Sequence, residues 1–266
     1  MSGPQLTIVA DPFAGAALVA DLIARTLADA VEQRDRADWV TTGGSTPIGI
    51  YRRLGRPPLT DDVPWDRVHV WWGDDRFVPR DHPLSNVKPF DDILLGIGAA
   101  EEGTAGSRAG VPLTVANLHP FRTGEAIGNG RGAAWCAAAL AEELRGAELE
   151  QAGGWPVFDL VLIGIGGDGH LLSVFPGSTA FDSSELALAI PAPTHIEPHI
   201  GRVTLNPAVI EVARSVLVVS YGADKAGILA EILGPDRDPR RLPAQLAARP
   251  GATWVLDAAA ASALPR

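Results

Sequence analysis

Residues 158–178 read FDLVLIGIGGDGHLLSVFPGS and hold the residues best suited to chemistry. Asp168 and His170 lie two positions apart in a glycine-rich turn, just after the apolar run Leu160–Ile163. Imidazole changes protonation state near neutral pH, so a histidine beside a carboxylate can take and return a proton during a reaction. Gly164, Gly166, Gly167 and Gly169 let the backbone take left-handed angles and leave room beside the chain. The unbroken apolar run predicts a strand covered on both faces, and open α/β sheets place ligands at the C-terminal ends of such strands. The pattern points to an enzyme. The plainer reading is a glycine turn with incidental polar residues.

The run Gly164-Ile165-Gly166-Gly167-Asp168-Gly169 also satisfies the GxGxxG dinucleotide pattern, and Glu185 falls near the spacing of a ribose-binding acid. Two features argue against it. Asp168 inside the loop would repel a pyrophosphate, and Pro176-Gly177 would stop the helix that must follow after about two turns.

Two more predicted strands end in unusual residues. Thr42-Gly43-Gly44-Ser45-Thr46-Pro47 sets two glycines before two hydroxyls and a proline suited to the first turn of a helix. Backbone N–H groups, hydroxyls and a helix N-terminus together favour an anion such as phosphate, so Gly43, Gly44, Ser45 and Thr46 are binding candidates. The alternative is a simple helix cap by Ser45 or Thr46. A nucleotide P-loop is excluded, because the Gly-Lys-Ser/Thr element is missing. The second is Trp71-Trp72-Gly73-Asp74-Asp75-Arg76-Phe77-Val78-Pro79, with Ser85-Asn86 beyond it. Arg76 can hold a phosphate or sugar oxygen through two donors, while the alternative is a solvated charged turn.

These motifs need elements to carry them. Strands are expected at Leu6–Ala10, Trp39–Thr42, Val68–Trp72, Leu160–Ile163, Leu186–Ile190, Arg202–Leu205, Ser215–Ser220 and Ala252–Leu256. Helices are expected at Phe13–Glu32, from the Pro47 turn through Leu54, and at Val87–Leu95, Gly132–Arg145 and Asp224–Leu233. A loop precedes a further segment at Val111–Asn117, and Gly124–Gly132 reads as a flexible surface loop. Strands alternating with helices predict a mainly parallel sheet with helices on both faces. No proline-rich linker or fixed-period repeat divides the 266 residues, so one domain, 1–266, is expected.

Composition narrows the function classes. Net charge is −10 with no basic block, which disfavours a nucleic-acid surface. Cys136 is the only cysteine, so neither an intrachain disulfide nor a cysteine metal cluster is expected. The N-terminus lacks a signal-peptide pattern and no apolar run reaches about 18 residues, so a cytoplasmic protein without a membrane span is expected. Oligomeric state is not legible.

Taken together, TTGGSTP, WGDDRFVP with a downstream Ser-Asn, and GIGGDGHLLSVFPGS resemble the 6-phosphogluconolactonase family, over about Leu6 to Leu256. The resemblance implies a Rossmann-like α/β fold without a nucleotide, similar to glucosamine-6-phosphate deaminase and ribose-5-phosphate isomerase. It implies hydrolysis of a sugar-phosphate lactone, a small-molecule substrate, with no metal or organic cofactor. His170 is then the general base. Asp168 or Asp74 orients the imidazole, and Arg76 or backbone N–H groups of the turn stabilise the oxyanion. Candidates for the phosphate are Gly44, Ser45, Thr46, Arg202 (in Arg-Val-Thr-Leu) and Lys225 (in Gly-Ala-Asp-Lys-Ala), and Asn86 joins them as a substrate-binding residue. Asp75 stands where the family has glutamate. Leu171, Leu172 and Val174 also depart from the pattern, and an enlarged apolar wall beside His170 is expected from them. The related deaminases carry a glutamate five positions after the histidine, where this chain has Phe175. A catalytically silent sugar-phosphate-binding regulator is the alternative of a different class. The other five histidines, His195 among them, are expected to have no chemical role.

Overall fold

The computed structural model describes residues 3–97 and 110–265. Among them the strands are β1 (Gln5–Val9), β2 (Ala37–Thr41), β3 (Val68–Trp72), β4 (Asp74–Arg76), β5 (Leu118–His119), β6 (Gln151–Ala152), β7 (Trp155–Pro156), β8 (Leu160–Gly164), β9 (Ala187–Ile190), β10 (Arg202–Leu205), β11 (Ser215–Ser220) and β12 (Ala252–Asp257). The α-helices are α1 (Pro12–Arg34), α2 (Thr46–Leu54), α3 (Leu59–Asp62), α4 (Lys88–Ile93), α5 (Thr123–Gly128), α6 (Ala133–Gly146), α7 (Ala208–Val212) and α8 (Ala226–Ile232).

Seven strands form a parallel sheet in the order β1-β12-β11-β8-β2-β3-β5. Every residue of β2 is buried, as are Leu160–Ile163 of β8 and Val216–Ser220 of β11. Successive side chains of a strand point to opposite faces, so the centre of the sheet is covered on both sides. This is the expected mainly parallel α/β fold. Helix α1 shows how the sequence covers the sheet. Asp11 caps its start by accepting from Ala14 N–H at 2.8 Å, and Asp35 ends it in the left-handed region. Between these caps Ala16, Val19, Ala20, Ile23, Ala24, Leu27 and Ala30 form one buried stripe.

Strand order places the site. From β2 the chain moves to β3 on one side, whereas from β8 it moves to β11 and β12 on the other. The adjacent pair β2 and β8 is therefore a topological switch point, where the C-terminal ends open a crevice. Gly43–Thr46 follows β2 and the glycine turn follows β8. Two of the three motifs are thus neighbours in space.

A second sheet, antiparallel and ordered β4-β10-β9, brings in the third. Gly73 joins the two sheets: its N–H donates to Thr41 O at 3.0 Å and its carbonyl accepts from Leu205 N–H at 2.8 Å. A β-carbon there would lie 2.6 Å from Leu172 Cδ2, so any larger residue would displace that leucine.

Some expectations about elements are corrected. Part of Gly124–Gly132 is helix α5, because burial of Thr123 and Ala126 against α6 outweighs the poor helix propensity of its glycines. The helix expected at Asp224–Leu233 begins as a 3-10 turn, Ala223–Lys225, and becomes α-helical only at Ala226. The Val111–Asn117 segment ends in a 3-10 turn, Val115–Asn117. The loop before it falls largely outside the described residues. No described helix is long and apolar enough to cross a membrane.

Beyond the site, a polar chain crosses the sheet edge. His69 Nδ1 and His119 Nε2 are 2.9 Å apart, and His119 Nδ1 lies 2.6 Å from Glu143 Oε1. Burial, then the nearby Arg36 charge, pushes the His69 imidazole from the usual 6.5 down to about 4. The unfolded chain therefore takes up this proton first. The stability involved is fully present above about pH 6.5 and is lost as pH falls toward 4. Urea titrations from pH 7 to pH 4 should show a falling midpoint, and His69→Gln should flatten that fall. Equal slopes in the two proteins would refute the assignment.

Candidate active site

The turn after β8 is closed by two backbone hydrogen bonds, Gly166 N–H to His170 O at 2.9 Å and Gly169 N–H to Gly166 O at 3.1 Å. Gly169 takes φ +81°, which favours glycine. Gly166 is needed for a different reason: a β-carbon there would sit 2.0 Å from His170 Nδ1. The imidazole occupies the space that a side chain would fill. No helix opens directly behind the turn. Leu171 pairs with Val174 in a short bridge, and a 3-10 turn follows at Thr179–Asp182. The helix N-terminus that a dinucleotide pyrophosphate requires is missing from this position.

Asp168 holds the imidazole. Its Oδ1 accepts from the His170 backbone N–H at 3.1 Å and lies 2.5 Å from His170 Nδ1. Burial alone would raise this carboxyl. Hydrogen bonds and charge from His170, with a further hydrogen bond from His195, outweigh burial and hold it well below the usual carboxylate range. An ionised carboxylate only accepts hydrogen bonds, so Nδ1 of His170 must carry the proton. Nε2 is left with a free lone pair, the form a general base needs. Asp74, the other acid considered for this task, makes its contacts elsewhere.

His195 was expected to do nothing chemical. The structure places its Nε2 2.8 Å from Asp168 Oδ2. Its ring also stands edge-on to Phe175, with centroids 5.6 Å apart at 86°, and Phe175 packs on His170 at 4.8 Å. Phe175 is thus an apolar neighbour of the imidazole, and Leu172 Cδ2 lies close over Gly73. His195 sits among prolines in the segment between β9 and β10, with no local pattern to mark it.

The β3–β4 motif forms a buried cluster. Asp74 accepts from Ser173 Oγ at 2.5 Å and from Asn86 Nδ2 at 3.0 Å. Asp75 accepts from the N–H groups of Asn86 (2.7 Å) and Arg76 (2.8 Å) and from Ser85 Oγ (3.1 Å). Burial pushes the Asp75 carboxyl up to about 7, with the Asp74 charge adding to the rise and these donors opposing it. Asp75 therefore braces the Ser85-Asn86 segment. The Ser173–Asp74 bond ties the cluster to the histidine turn.

Arg76 and Arg202 are register partners on β4 and β10. Arg76 donates to Leu84 O at 2.9 Å and Arg202 to Pro198 O at 3.2 Å, yet neither forms an ion pair among the described residues, and both Nε groups are buried without a hydrogen-bond partner. Burial, then the Arg76 charge, lowers the Arg202 pKa. Two like charges are thus held side by side with donors unspent, and Asp74 and Asp75 act on the Arg202 charge as well. Arg202 lies 5.9 Å from the Phe175 ring, which places this pair one aromatic ring away from His170.

The Gly43–Thr46 loop meets the same cluster. A β-carbon on Gly43 would lie 2.0 Å from Asn86 Oδ1, and Gly44 takes φ +82°. Tyr51 braces the loop from α2 by donating to Thr42 O at 2.8 Å. Ser45 precedes α2 but makes no side-chain cap, so the simple capping alternative does not describe it. Ser45 and Thr46 face a cavity of about 850 Å³, lined also by Phe13, Arg53, Arg56 and Tyr221. His170 and Asp168 lie outside that cavity, so the proton chemistry is not in it. Lys225 joins the site from the far side of the turn, its Nζ 3.9 Å from where a Gly167 side chain would begin.

The chain is similar to several known proteins. A 6-phosphogluconolactonase of Streptomyces coelicolor is 31% identical over 264 residues, 99% of this chain and 95% of that protein. One from Synechocystis is 32% identical, covering 86% of this chain and 85% of that protein. The solved structure of 6-phosphogluconolactonase from Trypanosoma brucei superimposes with a TM-score of 0.80 at 27% identity, covering 98% of this chain and 99% of that one. A monomeric glucosamine-6-phosphate deaminase shares the fold, with a TM-score of 0.73 at 16% identity over 97% of this chain and 99% of that one. The family model described as glucosamine-6-phosphate isomerases/6-phosphogluconolactonase matches residues 10–256, and with the three motifs gathered at one switch point the chain belongs to that family.

Proposed function

We propose that this chain hydrolyses 6-phospho-D-glucono-1,5-lactone to 6-phospho-D-gluconate, a step of the oxidative pentose phosphate pathway, in the cytoplasm. The observation that carries the mechanism is the 2.5 Å contact of Asp168 Oδ1 with His170 Nδ1; with the Asp168 carboxyl held below its usual range, it leaves Nε2 as the basic atom. In the proposed reaction a water attacks the lactone carbonyl carbon and gives its proton to His170 Nε2. The tetrahedral intermediate then collapses, the bond from that carbon to the ring oxygen breaks, and Nε2–H returns the proton to the departing oxygen. Asp168 stabilises the imidazolium in between, as the third group does in acyl-transfer triads.

Arg76 faces the developing oxyanion, where preorganised positive charge lowers the barrier. Arg202, Lys225 and the Gly43–Thr46 loop take the phosphate, and Asn86 keeps the loop and Asp74 in register. The unspent donors of the arginine pair and the approach of Lys225 to the turn support these residues as anion contacts.

The test is proton release from freshly prepared 6-phosphogluconolactone at pH 7, read over seconds because the lactone also hydrolyses spontaneously. Catalysed release well above background is expected, with far weaker catalysis on the unphosphorylated lactone. A rate at background would refute the hydrolytic reading. Equal rates on both lactones would refute the phosphate subsite.

A further inference from the structure

We propose that His195 is a positioning residue for this hydrolysis, acting through Asp168. The proposal rests on the hydrolytic reading above. Asp168 spends Oδ1 on His170, taking both its backbone N–H and its Nδ1. With Oδ2 free, the carboxylate could turn about its Cβ–Cγ bond and carry Oδ1 away from the imidazole. His195 Nε2, at 2.8 Å, holds the second oxygen. Because the carboxylate only accepts, the proton of that bond sits on His195 Nε2. The second contact of His195 works in the same direction. Its ring stands against Phe175, and Phe175 packs on His170. One side chain from the β9–β10 segment thus braces both neighbours of the base. It is half exposed, so its removal leaves no buried cavity.

The charged and titratable groups around this pair come from several elements. Asp168 and His170 belong to the turn, and Arg202 approaches the other side of Phe175. Lys225 reaches the turn near Gly167. On the segment of His195 itself, His199 and Glu197 pair with each other at 3.2 Å. Removing the His195 donor leaves the Asp168 charge less compensated. That charge then stabilises the His170 imidazolium more strongly, so the acid limb of the kcat profile should move to higher pH.

The experiment compares His195→Phe, which keeps a ring without a donor, with His195→Gln, whose amide Nε2 can donate to Asp168. His195→Phe is expected to lower kcat on the order of tenfold, the scale of losing an outer hydrogen bond on a working group. KM should stay within about twofold and the acid limb should rise. His195→Gln should recover most of kcat and return the limb to its wild-type position. His195→Ala, with no added bulk, replaces the phenylalanine variant in the same comparison if the latter fails to fold.

Unchanged kcat and limb in the donor-free variant would overturn the proposal. So would a glutamine variant that falls as far as the donor-free one. An inactive wild type would overturn the hydrolytic reading itself, and with it this role. An active wild type with an indifferent His195 overturns only the latter.

Discussion

His170→Ala is expected to lower kcat for 6-phosphogluconolactone by about 10²–10⁴-fold, the usual contribution of a general acid–base group, with KM changed only a few-fold. The asymmetry between the two constants follows from the geometry. The phosphate end of the substrate is assigned to Arg202, Lys225 and the Gly43–Thr46 loop, none of which is hydrogen-bonded to the imidazole. The acid limb of the kcat profile should vanish with the side chain. Asp168 cannot supply that limb in place of His170, because its carboxyl is held well below the usual range and stays ionised throughout an assay. The imidazole is only about one-fifth exposed, so the variant must be shown to fold, by its circular dichroism and thermal midpoint. A folded variant with wild-type kcat would remove His170 from the mechanism while leaving the fold assignment standing.

Asp168→Asn should cost on the order of 10²-fold or more in kcat, although it exchanges one oxygen for a nitrogen of similar size. A carboxylate forces the proton onto His170 Nδ1. An amide can donate as well as accept, so the imidazole is free to take the other tautomer, with Nε2 protonated and useless as a base. The imidazolium that forms during the reaction also loses its counter-charge. Both groups act on one proton, so their effects should not add. The double variant His170→Ala/Asp168→Asn should be barely slower than His170→Ala alone. Additive losses, or an Asp168→Asn enzyme with full activity, would show that the 2.5 Å contact does not govern the base.

Much of this molecule was legible before any coordinates. The strands Val68–Trp72, Ser215–Ser220 and Arg202–Leu205 lie at the residues their apolar, β-branched patterns indicated. The GGDGH turn was legible for a local reason. Its glycines, acid and histidine lie within a few residues, so their spacing alone nearly dictates the geometry. The sequence sets the Asp74-Asp75-Arg76 run just beyond a strand, as a binding motif with a solvated charged turn as the alternative, and the run is itself strand β4. That difference depends on pairing with β10, more than a hundred residues away, which no local pattern encodes.

The same division separates residue types from residue roles. Sequence supplied the family motifs, the central fold class and His170 with Asp168, because covalent neighbours stay neighbours in space. Tertiary contacts were needed to choose Asp168 over Asp74 as the partner of His170. They also set Arg76 beside Arg202, and they brought His195, 25 residues from His170, onto the same carboxylate. The physical reason is that a hydrogen bond is decided within about 3 Å. Across a fold, that distance is set by where strands pair and segments pack rather than by separation along the chain.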